Sequence, residues 1–164
     1  MRRVLILFMV FLSVTASSRD TYEKCAPMLE DHFSVSMCCK DYDLSIRQEN
    51  NAECYKIPST PNDCERENCV INKRALLKPN GEIDISKMES DFESLGGEPE
   101  MFLILKDKCL FNTDLDAYAM EGACPMKKMF NCFRAHALFN CNIWVESDAC
   151  NELKEKVEDC KDLY

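Results

Sequence analysis

Residues 132–141 read CFRAHALFNC, with two cysteines nine positions apart and aromatic and aliphatic side chains between them. In an α-helix each residue turns by about 100°, so nine steps turn by about 900°, half a turn more than two full turns. Cys132 and Cys141 then point to opposite sides and lie too far apart along the axis to bond to each other. Each must reach a different neighbour. Across the wider segment Met126, Met129, Phe130, Cys132, Phe133, Ala137, Leu138 and Cys141 spread around much of the cylinder. A helix apolar nearly all round is buried. The stretch therefore predicts a central helix with elements packed on both of its sides.

Helical signals continue away from that centre. Pro125 opens the central helix, and Pro99 opens an apolar one in EPEMFLILKDKCLF, where Phe102, Leu105 and Cys109 share a face. Met88, Phe92 and Leu95 form an i, i+4, i+7 stripe in KMESDFESL, capped by Asp84 or Ser86 and ended by Gly96-Gly97. Asn62 or Asp63 caps a helix through CERENCVINKRALL, and Ser147 or Asp148 caps one in which Leu153, Val157 and Cys160 form the inner stripe. Pro79 and Asn80-Gly81 mark a turn, Pro58 and Pro61 a connector, and NTDLDAYAMEGAC a loop or short helix closed by Gly122. From Cys25 to Cys54 the signal is mixed: a helix starting near Pro27 with Cys25, Met28 and Leu29 on one side, then a short helix or turn in SMCCKDYD. Glycine is rare and long Val/Ile/Thr alternation is absent, which argues against a β-sandwich. The expectation is an all-α fold, a single compact disulfide-rich domain of about six to eight short helices.

The first residues have the form of a secretory signal. Arg2 and Arg3 precede an apolar run from Val4 to Val14, and Val14-Thr15-Ala16 offers small residues for cleavage, placed after Ala16 with Ser18 as the alternative. The domain then spans residues 17–164. The run is short for a membrane span, and no other stretch is long and apolar enough to be one. All twelve cysteines follow the signal: Cys25, Cys38, Cys39, Cys54, Cys64, Cys69, Cys109, Cys124, Cys132, Cys141, Cys150 and Cys160. An even count on a secretory route suggests six disulfides, but twelve cysteines allow about ten thousand pairings. Zinc is the rival use; two histidines and no C-x-x-C pair speak against it. The formal charge is -9, and losing the two arginines makes it more negative, so nucleic acid and anionic lipid are poor partners.

Catalytic patterns are missing. There is no G-x-S-x-G, H-E-x-x-H or P-loop. Cys38-Cys39 matches the double cysteine of secreted phospholipases A2, but Lys40-Asp41 follows where those enzymes have His-Asp, and Asp31-His32 lies upstream in reverse order. Asn112, Asp114 and Asp116 are spaced as in an EF-hand, yet Ala117 takes the glycine position and Ala123 the glutamate position. His136 falls on the central helix as a core histidine. No catalytic residue, cofactor or metal is expected.

What remains is a small helical shell rich in methionine and phenylalanine, nine of each. Methionine is flexible and polarizable, and suits surfaces that adapt to varied apolar partners. The candidates for a ligand pocket are Met88, Phe92, Phe102, Leu105, Met126, Met129, Phe130, Phe133 and Leu138; ordinary core packing is the alternative use of the same residues. A domain of about 147 residues can usually bury enough apolar surface without six staples. Heavy stapling makes sense if the middle is hollow, since a cavity removes packing contacts. Protease resistance outside the cell would explain the same bonds.

The spacings carry a resemblance. Thirty-nine residues separate Cys69 from Cys109, and eight separate Cys132 from Cys141. Both gaps resemble those of the insect odorant-binding proteins. The extra cysteines, CCK at 38–40, Cys150 and Cys160 after the last pair, and FRAHALFNCNIW are similar to the Plus-C branch of that family. Departures are the four residues between Cys64 and Cys69 and Asn142 where proline is common. The resemblance implies helices around an apolar cavity and pairs Cys109–Cys141, Cys64–Cys132 and Cys39–Cys69. It implies a secreted, non-enzymatic carrier of odorants or pheromones in chemosensory fluid, with a small hydrophobic ligand and a chemosensory receptor as partners. Some members form homodimers. Uptake would be pH-sensitive if His136 or acidic contacts take part. Two other classes remain open: a secreted effector of saliva or seminal fluid acting on a protein partner, and a saposin-like lipid-binding protein.

Overall fold

The computed structural model describes residues 19–30, 34–41, 45–60, 62–94, 96–112 and 114–164. The secretory signal, its cleavage site, His32 and Leu95 lie outside the described residues. Eight α-helices follow in order: α1 over residues 19–30, α2 Ser34–Cys38, α3 Ser45–Tyr55, α4 Glu65–Lys73, α5 Ile85–Ser94, α6 Pro99–Leu105, α7 Pro125–Phe139 and α8 Asp148–Lys161. A π-helical turn, Lys106–Leu110, extends α6, and a 3₁₀ turn, Asp116–Tyr118, precedes α7. Among the described residues there is no strand, only two isolated antiparallel bridges, Cys39 with Trp144 and Leu77 with Ile83. The all-α, disulfide-rich architecture is as expected. No described helix is long and apolar enough to cross a membrane.

Helix α7 is central. It packs against α2, α4, α6, α8, the π turn and the 3₁₀ turn. Its buried residues, Met129, Asn131, Cys132, Ala135, His136, Leu138 and Phe139 among them, take up one broad side, while Met126, Phe130, Phe133 and Ala137 on the other side are half-buried, so the helix is less fully enclosed than the all-round apolar pattern predicts. Cys132 and Cys141 do reach different neighbours, Cys109 on the π turn and Cys39 after α2, but α7 ends at Phe139, so Cys141 lies just past the helix rather than on its opposite face.

Sequence punctuation sets most boundaries. Pro99 and Pro125 occupy the first turns of α6 and α7. The Asp84 carboxylate accepts from the Lys87 amide at 3.1 Å, so Asp84 rather than Ser86 caps α5. The Ser147 hydroxyl accepts from the Cys150 amide and caps α8. The Asp63 carboxylate takes the Glu65 amide just ahead of α4. Gly96, at φ +78°, ends α5: its amide donates to Glu93 O, and Gly97 donates to Phe92 O. Gly97 also leaves room for the Phe92 ring, which a Cβ would meet at 2.2 Å.

Two expectations change. Helix α1 runs through Pro27 instead of starting there, because Tyr22, Cys25, Met28 and Leu29 bury one continuous face while Pro27 stays exposed. The apolar stretch after Pro99 is not one regular helix; it widens at Lys106–Leu110, where the Phe111 amide donates to Lys106 O. Helix α3 has no counterpart in the sequence reading.

The six disulfides are Cys25–Cys160, Cys38–Cys150, Cys39–Cys141, Cys54–Cys69, Cys64–Cys124 and Cys109–Cys132, and no cysteine is free. The three pairs implied by resemblance, Cys109–Cys141, Cys64–Cys132 and Cys39–Cys69, are all replaced. Cys39 meets Cys141 because the segment after α2 runs beside residues 143–145: Lys40 donates to Ile143 O and Val145 donates to Cys38 O. Cys64 and Cys124 are the N-caps of α4 and α7, which start side by side. Cys69 faces α3 and takes Cys54. Cys132 faces the π turn and takes Cys109.

Candidate functional site

Two apolar clusters fill the interior. The first joins α1, α2, α6, α7 and α8 through Tyr22, Met28, Leu29, Val35, Met101, Leu105, Tyr118, Ala135, Leu138, Phe139 and Val157. It also contains the buried sulfurs Cys25, Cys39, Cys109, Cys132 and Cys160, with Cys141 at its edge. The second lies among α4, α5, α6 and α7. Ile71, Leu76, Met88, Phe102 and Met129 are its buried centre, and Phe92, Met126, Phe130 and Phe133 pack against it. It contains no cysteine.

Seven of the nine candidate pocket residues fall together in the second cluster: Met88, Phe92, Phe102, Met126, Met129, Phe130 and Phe133. Leu105 and Leu138 belong to the first. Phe92 and Phe133 touch both. The Phe92 and Phe102 rings lie 5.8 Å apart and tilted, and Phe130 meets Phe133 edge-on at 6.4 Å. Aromatic pairs prefer such offset or edge geometries to flat stacking. Ile71 and Leu76, which complete the cluster, were not on the candidate set. They flank the end of α4, and the apolar spacing of INKRALL was the available signal.

The polar groups divide in the same way. In the first cluster, His136 Nε2 lies 3.0 Å from the Tyr118 hydroxyl, and the Phe139 ring meets the imidazole edge-on. Burial, and then the nearby Lys108 charge, lower the His136 pKa, so the ring is neutral. Burial pushes Tyr118 up to about 12. The terminal residue Tyr164 covers Tyr118 at 4.7 Å between rings, and its hydroxyl donates to Ala117 O. His136 is thus a partnered core histidine, as expected. Beside the second cluster, Arg74 pairs with Asp91 of α5. Sequence reasoning missed that pair, because nothing in the spacing of residues 74 and 91 links them.

Several side-chain groups have the composition of a metal site. Cys109, Cys132 and His136 converge, as do Cys39, Asp41 and Cys141, and Cys64, Glu67 and Cys124. In each group both sulfurs are bonded to one another, so neither is a thiolate that could ligate zinc. In the loop with EF-hand-like spacing, the Asn112 and Asp114 side chains accept from backbone amides and Asp116 pairs with Lys128. These side chains order the loop before α7.

Comparison with protein-family models, with curated proteins and with solved structures gave no match.

Proposed function

We propose that this chain is a secreted, non-enzymatic carrier of small hydrophobic molecules, with the second apolar cluster as its binding chamber. The observation that carries the reading is the gathering of seven Met and Phe side chains, free of disulfides, among four helices of an otherwise heavily bridged shell. Flexible thioethers and re-orientable rings can repack around varied apolar shapes. A ligand burying about 200 Å² of apolar surface would gain about 5 kcal/mol at the usual 25 cal/mol per Å².

Secretion fits six disulfides, which persist in oxidising compartments. The cysteine spacing further supports kinship with the Plus-C odorant-binding proteins, and hence odorants or pheromones as ligands in chemosensory fluid. The pairing found differs from what that kinship implied, so the ligand class rests more on the cluster than on the bridges.

Displacement of a fluorescent apolar probe from the oxidised, delipidated protein tests the reading. Saturable binding near one probe per chain, competed by small volatile molecules and lost on reduction, is the expected result. Absence of saturable binding in folded, fully oxidised protein would overturn it. That outcome would favour an effector acting on a protein partner, for which the exposed Leu103 and Phe111 offer apolar surface.

A further inference from the structure

Among the described residues, three buried side-chain nitrogen or oxygen atoms have no hydrogen-bond partner: Nδ2 and Oδ1 of Asn51, and Nη1 of Arg74. Such atoms are rare in folded proteins and each calls for a cause. Asn51 lies on α3, in neither apolar cluster. Arg74 is placed differently. It caps α4 between Ile71 and Leu76, both of which are buried in the second cluster. Its Nε donates to Asp91 Oδ1 at 3.0 Å, and Nη2 donates to the same oxygen. Asp91 stands on α5 between Met88 and Phe92, two more members of that cluster.

The guanidinium is therefore held as a fork with one prong unused. Its side chain is only 10% exposed, and Nη1 has no acceptor among the described residues. Guanidinium offers five N–H donors and accepts nothing. Leaving a donor on a charged group unmade in a buried position is more costly than leaving a neutral one. Asp91 already balances the charge, so the vacant donor needs an oxygen and no second anion.

We propose that Arg74 Nη1 is the polar anchor of the ligand site. The ligand class is a small amphiphile whose apolar body lies among Met88, Phe102 and Met129 and whose carbonyl oxygen accepts from Nη1. This rests on the carrier reading and narrows it. An alkane of equal length fills the same apolar volume and leaves Nη1 empty. Asp91 is a positioning residue: it fixes the plane of the fork and does not touch the ligand.

The test compares 2-nonanone with nonane as competitors of a fluorescent apolar probe, on the wild-type protein and on Arg74→Lys. Lysine keeps a cation for Asp91 but removes the second terminal nitrogen. The expected result is an affinity for 2-nonanone that falls about tenfold, the effect of one hydrogen bond to a charged group, while that for nonane stays within about twofold. Equal changes for both competitors, or no change for either, would overturn the anchor and leave the carrier reading standing. Failure of both compounds to displace the probe from the wild type would overturn the carrier reading and the anchor with it. Should Arg74→Lys not fold, nitrogen-15 signals of Arg74 in the wild-type protein decide the matter. They are expected to shift with 2-nonanone and not with nonane; no shift at saturating ketone would overturn the anchor.

Discussion

The two apolar clusters are built from the same kinds of side chain and held together in opposite ways. The first is threaded by three disulfides, and two of these, Cys25–Cys160 and Cys39–Cys141, join residues 135 and 102 positions apart. The second has no sulfur bridge among its members: Cys64–Cys124 ties only the starts of α4 and α7 at its edge, and the chain from Val70 to Lys108 that supplies Leu76, Met88 and Phe102 contains no cysteine. Covalent bonds restrict the unfolded chain most where the loops they close are long. They also leave the cluster around them little freedom to repack. The difference teaches where adaptability can reside: the bridged half holds the shape, and the unbridged half can yield to a ligand.

The largest expected effect comes from opening the bridged half. Replacing both Cys39 and Cys141 by alanine removes a bridge with a separation of 102 residues and should lower stability by about 4–5 kcal/mol. Removing Cys54–Cys69, separation 15, should cost about 3 kcal/mol. Denaturant unfolding measures both, and equal losses would break the contrast between long and short loops.

Truncating each cluster sharpens the comparison. Leu138→Ala and Met129→Ala should each destabilise by about 2–5 kcal/mol, since both side chains are buried. Only Met129→Ala should alter probe affinity by more than about threefold, a change worth about 0.6 kcal/mol. An affinity change confined to Leu138→Ala would move the ligand to the bridged half.

Acid acts on the first cluster through His136. Its pKa is lowered in the folded protein, so below the ordinary value of 6.5 the unfolded chain binds the proton more readily than the folded one. The contribution of His136 to stability is therefore present at neutral pH and is lost as pH falls below 6.5. Melting temperature should drop between pH 7 and pH 5, and the drop should be smaller in His136→Gln. An equal drop in both proteins would show that other groups carry it.

The smallest effect lies at the edge of the second cluster. Ala75 follows α4 at φ +52°, a left-handed conformation in a residue with a Cβ. Its amide donates to Asn72 O and the next amide to Ile71 O, the same closing pattern that Gly96 and Gly97 make after α5. Ala75→Gly should stabilise by about 0.5–1 kcal/mol, the strain relieved exceeding the added freedom of the unfolded chain. Thermal unfolding checks the sign.

Several helices and their boundaries were legible in the sequence, though the division into two clusters was not, and the reasons are physical. Proline and glycine act locally, so Pro99, Pro125 and Gly96-Gly97 marked their boundaries correctly. The all-round apolar pattern of residues 126–141 required a central helix whatever its neighbours were. The Met and Phe stripes of α5, α6 and α7 face one another because helices bury apolar stripes, and seven candidates met in one place. Bridge pairing was not legible, because it depends on which helices lie side by side. Cys39 finds Cys141 through backbone hydrogen bonds that no spacing encodes. Helix α3 was missed because SIRQENNAEC is polar; in its described part, residues 50–55, the buried side chains are Asn51 and Cys54. Arg74 and Asp91, seventeen positions apart, are joined only through their side chains, and nothing in the local sequence of either points to the other.

Methionine methyl groups give the most direct test, because the two clusters carry different ones. Met88, Met126 and Met129 lie in or against the unbridged cluster, and Met28 and Met101 in the bridged one. With carbon-13 methyl-labelled methionine, titration of the oxidised protein with a small apolar ligand should shift the signals of Met88, Met126 and Met129 and leave Met28 and Met101 in place. Shifts confined to Met28 and Met101, or no shift at ligand saturation, would contradict the assignment of the binding chamber to the unbridged half.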